Sequence, residues 1–169
     1  FMMSILSFFH NLKVKHYTKN IQKTVRECGV NLRVNGPSIA TSNTYLGNNV
    51  NFNGIHIQGK GKVKIGDNFH SGIECMILTD NHNYDNGKAI PYDETIISKN
   101  VTIEDNVWLG NRVNILPGVT IHEGAIIQLG SVVVRDVPKC AIVGGNPATV
   151  FKYRDKDHYE KLKSQAKFH

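Results

Sequence analysis

Three scarcities in this chain of 169 residues each exclude a class of protein. No apolar run approaches the ~18 residues that span a bilayer, and the first residues lack the pattern of a secretory signal. The three cysteines (Cys28, Cys75 and Cys140) are odd in number and far apart, which indicates neither a disulfide framework nor a Cys-x-x-Cys metal site. Aromatic residues make up only 8% of the chain, and no dense Lys/Arg run accompanies the formal net charge of +6, which argues against nucleic-acid binding. We therefore expect a soluble protein of a reducing, cytoplasmic compartment.

The first 20 residues, FMMSILSFFHNLKVKHYTKN, place a short apolar patch before several basic residues. This pattern predicts an amphipathic helix that packs on the body of the protein or on a neighbouring subunit. A short basic helix that lies on a membrane surface is the alternative, but we expect no membrane association.

A period of six residues dominates the second half of the chain. From Val101 the hexads are VTIEDN, VWLGNR, VNILPG, VTIHEG, AIIQLG and SVVVRD, with a small or β-branched first residue and an apolar third residue. Upstream of the loop, residues spaced six positions apart form one register that we expect to face inward. Its members are Ile39, Tyr45, Ile57, Val63, Phe69 and Cys75, with Asn51 as the polar exception.

This period matches neither a helix nor a long alternating strand. Short alternating stretches are followed by turn formers such as GNN, GDN, EDN and PG, whose Gly, Asn and Asp residues tolerate left-handed backbone conformations. Short strands joined by tight corners predict a parallel β-helix, in which equivalent side chains stack in successive coils. The polar segment YRDKDHYEKLKSQAKFH predicts a short C-terminal helix that caps the open end of the β-helix.

The run VWLGNRVNILPGVTIHEGAIIQLGSVVVRDVP, followed by GGNPA, resembles the hexapeptide-repeat acyltransferases, and the resemblance covers about residues 37 to 152. It implies a mainly β fold, a left-handed parallel β-helix with triangular coils of three hexads. We expect an N-terminal helical or leader segment at 1–36, the β-helix at 37–152 with an extruded loop near 80–100, and a C-terminal helix at 153–169.

The loop at 80–100 breaks the register and carries His82 in TDNHNYDNG. It resembles the extended loop of the sugar and xenobiotic acetyltransferases of this family, which reaches toward a neighbouring subunit and holds the catalytic histidine in its opening segment. The resemblance implies that His82 is the general base that removes a hydroxyl proton during direct acetyl transfer, a task that suits imidazole at neutral pH. The candidate acceptor-binding residues are Asn51, Asp80 and Tyr84. Asn51 lies in an NFN stretch similar to that of galactoside-type enzymes, with a corner or ladder asparagine as the alternative, and Asp80 is a candidate to orient the imidazole.

The resemblance also implies acetyl-coenzyme A as co-substrate, bound between the subunits of a homotrimer, and no metal. The positions that match the family's coenzyme contacts are Trp108, Asn111, Leu129, Gly130, Val134, Pro147, Thr149 and Lys152. Thr149 and Lys152 stand where galactoside-type enzymes have arginines. Lys152, with Arg154 or Arg135, would then supply the positive charge for the coenzyme phosphates.

The resemblance therefore implies an acetyl-CoA-dependent O-acetyltransferase that acts on a sugar or a surface glycan. Two alternatives share the fold: a xenobiotic or amino-sugar acetyltransferase, and a non-catalytic trimeric scaffold. A γ-type carbonic anhydrase is disfavoured, because His56, His70, His82 and His122 lack the spacing of its zinc ligands.

Overall fold

The chain winds into a three-faced parallel solenoid, described here from a computed structural model that covers residues 2–169, with side chains from residue 7 onward. Face A holds β1 (Glu27–Cys28), β3 (Thr44–Leu46), β6 (Val63–Ile65), β11 (Val101–Ile103) and β14 (Thr120–Ile121). Face B holds β2 (Arg33–Val34), β4 (Asn51–Phe52), β7 (His70–Ser71), β12 (Trp108–Leu109), β15 (Ile126–Ile127) and β17 (Ala141–Gly145), with β18 (Ala148–Tyr153) antiparallel to β17. Face C holds β5 (Ile55–Gln58), β8 (Cys75–Leu78), β13 (Asn114–Ile115) and β16 (Val132–Val133). The helices are α1 (Met2–Thr24) and α2 (Lys156–Ser164). Neither helix combines the length and apolar character that a bilayer crossing requires, as far as residues 2–169 are concerned.

The hexads of the second half form the core as predicted. Thr102 pairs with Thr120 and Trp108 with Ile126, so one coil takes 18 residues, or three hexads. The first and third hexad positions are at most 2% exposed; they are Val101, Ile103, Val107, Leu109, Val113, Ile115, Val119, Ile121, Ala125, Ile127, Ser131 and Val133. Side chains of this size fill the narrow interior without large voids.

The predicted inward position of Asn51 is wrong. Asn51 is partly exposed, whereas its neighbours Val50 and Phe52 are fully buried. The buried residues that begin successive faces here are Val50, then Ile55 only five positions later, and then Val63 eight positions after that. These unequal corners break the period of six, and a shift of one residue moves a side chain to the opposite face of a strand. For the same reason Ile39 is exposed and Tyr45 is partly exposed.

The β-helix begins ten residues before the predicted boundary at 37. Strand β1 pairs with β3 through Glu27 and Tyr45, and β2 pairs with β4 through Arg33 and Asn51. Residues 27–36 therefore form two faces of a first coil.

The C-terminal helix forms as predicted but lies beside the coils rather than over their open end. Asp155 caps its first turn by accepting a hydrogen bond from the His158 amide at 2.9 Å. A ladder of corner amides links Asn49, Asn68 and Asn106 at 2.9 Å per step, and Asn106 donates to the Tyr159 hydroxyl of the helix at 3.0 Å. These three asparagines have φ near +60°, which their short polar side chains tolerate. The ladder thus fixes α2 to the corner between faces A and B.

Candidate active site

An ordered hairpin leaves the solenoid between faces C and A. His70 pairs with Trp108, 38 positions later, where 18 would complete a coil, so 20 extra residues are extruded. Strands β9 (Asp80–His82) and β10 (Ile96–Ser98) pair antiparallel, with His82 opposite Ile96. At the far end, the Thr95 hydroxyl and the amides of Lys88 and Thr95 donate hydrogen bonds to the Asp93 carboxylate, and these bonds lower the pKa of Asp93. The loop thus has internal structure, in agreement with the predicted extrusion.

The imidazole of His82 stacks on the ring of Tyr92. The ring centroids are 3.7 Å apart and the planes are inclined by 15°. Within residues 2–169, neither ring nitrogen of His82 has a hydrogen-bond partner, so the stack is what orients the imidazole. A ring nitrogen is therefore left available to accept a proton from a substrate, as a general base requires.

A cavity of about 250 Å³ opens beside this histidine. His82 and Tyr84 line it from the loop, and Pro117 and Val134 line it from the body. The structure therefore brings the predicted base, one predicted acceptor residue and one predicted coenzyme residue to the same cavity. Lys99, also in the lining, places a positive charge at its edge.

The Asp80 carboxylate forms its hydrogen bonds with a corner of the solenoid and not with the imidazole of His82. Its carboxylate accepts hydrogen bonds from the Lys60 amide at 2.9 Å and the Thr79 hydroxyl at 3.3 Å. Desolvation raises the pKa of Asp80, but these hydrogen bonds and one from the Ser98 hydroxyl outweigh it and lower the pKa below its ordinary value. Asp80 thus stays ionised and holds the base of the hairpin.

A second group of candidate residues lies on face B, away from His82. Asn51, His70 and Trp108 occupy equivalent positions in successive coils and are neighbours along the sheet. The indole of Trp108 is 53% exposed and, with His70, lines a cavity of about 410 Å³ under α2. The ring of His169 stacks on His70 at 5.5 Å, and burial lowers the pKa of His70. A single chain therefore does not bring Trp108 or Asn51 to His82.

The remaining predicted coenzyme residues form a strip along the corner between faces B and C. Asn111 and Leu129 lie one coil apart, and the Gly130 amide donates to the Asn111 carbonyl at 2.8 Å. Leu129 is 71% exposed and no atom lies within 4 Å of a Cβ built on Gly130, so the backbone of this corner is open to solvent. Beyond it, the β17–β18 hairpin carries three further candidates, all exposed: Pro147, Thr149 and Lys152.

Two neighbours of the predicted residues were not predicted from the sequence. The sequence does not single out Tyr92, because its contact with His82 depends on the hairpin register. His70 does not stand out in the sequence as a site residue, although it lies 19 residues after Asn51 and pairs with it on the same face.

Similarity to known proteins agrees with this geometry. Residues 100–135 match the family model "Bacterial transferase hexapeptide (six repeats)". The chain is 39% identical over 119 residues to the putative acetyltransferase YJL218W of Saccharomyces cerevisiae, a match that covers 69% of this chain and 59% of the yeast protein. It is also similar to the solved structure of a galactoside acetyltransferase in complex with coenzyme A. That likeness has a TM-score of 0.71 and 30% identity, and it covers 83% of this chain and 71% of the other.

The chain belongs to the hexapeptide-repeat acetyltransferases. A maltose O-acetyltransferase from Clostridium difficile 630 supports this, with a TM-score of 0.64, 31% identity and coverage of 81% of this chain and 74% of the other. The predicted fold, the left-handed parallel β-helix of this family, is confirmed. The chain spans less than two thirds of the length of the first curated relatives that it matches.

Proposed function

We propose that this protein transfers the acetyl group of acetyl-coenzyme A to a hydroxyl of a sugar, at a site completed by a second subunit of a homotrimer. The observation that carries the proposal is the placement of His82. It stands on an ordered hairpin with both ring nitrogens free of partners in residues 2–169, beside a cavity that reaches Val134. The similarity to a galactoside acetyltransferase and a maltose O-acetyltransferase supports a sugar acceptor.

The chemistry needs one proton acceptor and a bound thioester. His82 takes the proton of the acceptor hydroxyl as its oxygen attacks the thioester carbonyl. The tetrahedral adduct then collapses, the C–S bond breaks, and the coenzyme thiolate recovers the proton from the imidazolium. No acyl-enzyme forms in this sequence, and no cysteine or serine lines the cavity beside His82.

The coenzyme would lie along the strip of exposed backbone between faces B and C. The open space beside Gly130 lets an extended pantetheine arm approach the backbone of this corner, and Lys152 supplies a positive charge at the hairpin for the phosphates. The arm's end would then reach the cavity through Val134, where His82 lies.

The separation of His82 from Trp108 supports a site between subunits. The hairpin projects from the corner after face C, whereas Asn51, His70 and Trp108 lie on face B of the same chain. In a threefold assembly, the hairpin of one subunit would meet face B of the next. The exposed indole would then be covered, as an aromatic ring of this size generally is.

The test is the release of coenzyme A thiol from acetyl-coenzyme A with a panel of hexoses, disaccharides, nucleotide sugars and amino sugars. We expect a sugar hydroxyl acceptor to turn over, and His82→Ala to lower kcat by about 10²-fold or more, the size typical of a general base. His158→Ala is the matched control, because His158 is exposed on α2 and contributes only its backbone to the helix cap.

Two results would contradict the proposal. A wild-type protein that binds no acetyl-coenzyme A in equilibrium titration is a scaffold rather than an enzyme. A His82→Ala variant with unchanged kcat would show that His82 takes no part in the chemistry. Sedimentation tests the assembly, since a monomer with full activity would exclude a site between subunits.

A further inference from the structure

The positive charge of this protein is concentrated in its N-terminal helix. Residues 1–26 contain five basic residues and no acidic residue, whereas residues 27–169 contain 15 basic and 14 acidic residues. The formal net charge of +6 therefore comes almost entirely from α1 and the two residues after it. The five basic residues are Lys13, Lys15, Lys19, Lys23 and Arg26.

Only the C-terminal half of α1 packs on the β-helix. Ile21 is 2% exposed and packs into the core, and the Thr18 hydroxyl accepts a hydrogen bond from the Val34 amide at 3.0 Å. Every side chain from residue 7 to residue 13 is exposed. With a rise of 1.5 Å per residue, the 23-residue helix is about 35 Å long, and its first half projects from the body. The expected packing of this helix on the body thus holds for its second half alone.

The projecting half carries aromatic and aliphatic side chains. Phe8, Phe9 and Leu12 are 60%, 56% and 47% exposed, and the two phenyl rings contact each other edge to face with their centroids 5.8 Å apart. Large apolar groups concentrated on an exposed helix mark a surface that binds something else. A short helix without tertiary contacts is also marginally stable in water, so a binding partner would stabilise this half.

The spacing of these residues identifies the kind of partner. Phe8, Leu12, Lys15, Lys19 and Lys23 follow one another at intervals of three or four residues, so they form one stripe along the helix. The stripe is apolar at the free end and basic toward the body. A second copy of α1 would bring lysines against lysines, because the helix has no acidic residue to pair with them.

The exposed Phe8, Phe9 and Leu12 speak against the expectation of no membrane association, and we propose that α1 binds this protein to the surface of a membrane rich in anionic phospholipids. The free end enters the boundary between head groups and acyl chains with Phe8, Phe9 and Leu12. The lysines of the stripe then lie at the level of the phosphates, where their aliphatic stems remain in contact with apolar surface. The buried apolar area and the attraction of the lysines to anionic lipids both contribute to the strength of such binding. The proposal is independent of the transferase activity.

The experiment is co-sedimentation of the full chain with vesicles of phosphatidylcholine alone and of phosphatidylcholine with 30% phosphatidylglycerol, at low and at moderate salt. We expect binding to the anionic vesicles at least ~10-fold tighter than to the neutral ones, and weaker binding as salt screens the lysines. The double variants Phe8→Ser/Phe9→Ser and Lys15→Glu/Lys19→Glu should each lower the affinity about 10-fold or more. The matched control is Lys64→Glu/Lys161→Glu, which makes the same charge change at two exposed positions on face A and α2 and should stay within ~2-fold.

Three results would overturn the proposal. The first is wild-type protein that remains in the supernatant with anionic vesicles. The second is an equal loss of binding in the Lys64/Lys161 control, which would show attraction by net charge alone. The third is a Phe8→Ser/Phe9→Ser variant that keeps its vesicle binding but loses its oligomeric state, which would show that a second subunit covers the helix.

Discussion

The stack between His82 and Tyr92 leads to a prediction about catalysis. Removal of the Tyr92 ring takes away the one contact that orients the imidazole within residues 2–169. Tyr92→Leu keeps an apolar side chain but no ring, and Tyr92→Phe keeps the ring and removes only the hydroxyl. We expect the first change to impair proton transfer and the second to leave it nearly intact.

The magnitude follows from the geometry. An aromatic pair contributes about 0.5–1.5 kcal/mol beyond the area that it buries. Tyr92 is 44% exposed, so a value in the middle of this range, about 1 kcal/mol, applies to the stack. Since 1.36 kcal/mol corresponds to tenfold in rate, kcat should fall about 5-fold in Tyr92→Leu. Tyr92→Phe should stay within ~2-fold, far from the ~10²-fold loss expected for His82→Ala.

The assay is the initial rate of thiol release at saturating acetyl-coenzyme A, with circular dichroism to verify the fold of each variant. The KM for acetyl-coenzyme A should not change, because Tyr92 does not line the cavity that reaches the coenzyme strip. The stacking account is wrong if Tyr92→Leu retains the wild-type kcat. It is also wrong if Tyr92→Phe falls as far as Tyr92→Leu, since the hydroxyl would then matter rather than the ring.

Two further predictions concern the attachment of α2. Tyr159→Phe removes a hydrogen bond to Glu123 at 2.8 Å and one from Asn106 at 3.0 Å. We expect this change to lower the free energy of unfolding by about 2 kcal/mol, which corresponds to a fall of roughly 4–8 °C in the midpoint of thermal unfolding. Tyr153→Phe is the control, because the Tyr153 hydroxyl has no such bonds in the described part of the chain; an equal loss there would contradict the assignment. Burial raises the pKa of Glu123, but hydrogen bonds from Lys163, Tyr159 and a second lysine outweigh it and lower the pKa below its ordinary value of 4.5. Its stabilising effect is therefore present above pH ~4.5 and lost as the pH falls through the lower folded-state value. In urea titrations Glu123→Gln should be less stable than the wild type at pH 7, with a gap that narrows below pH ~4.5; a gap independent of pH would exclude this linkage.

The sequence placed His82 in the extruded loop but did not show which side chains contact it. The break in the hexads placed His82 in an extruded loop, and the structure shows that loop as an ordered hairpin. The sequence did not show that Tyr92, ten residues later, covers the imidazole, because that contact depends on how the two hairpin strands pair. The sequence also suggested that Asp80 orients His82, whereas in the structure the Asp80 carboxylate accepts a hydrogen bond from the Lys60 amide.

The sequence by itself determined the β-helix and its core. The position of a residue within its hexad predicts whether its side chain points inward. From Val101 to Val133 this rule holds without exception. Tertiary structure alone decided which distant residues meet. Unequal corners at 54 and 59–62 moved Asn51 to the outside, and 20 extruded residues placed His70 beside Trp108. The hydrogen bonds of Tyr159 hold α2 at the side of the coils, whereas the sequence predicted the helix at their open end. The physical reason is that an inward position depends on two or three neighbouring residues, whereas a contact between coils depends on the summed length of every corner and loop between them.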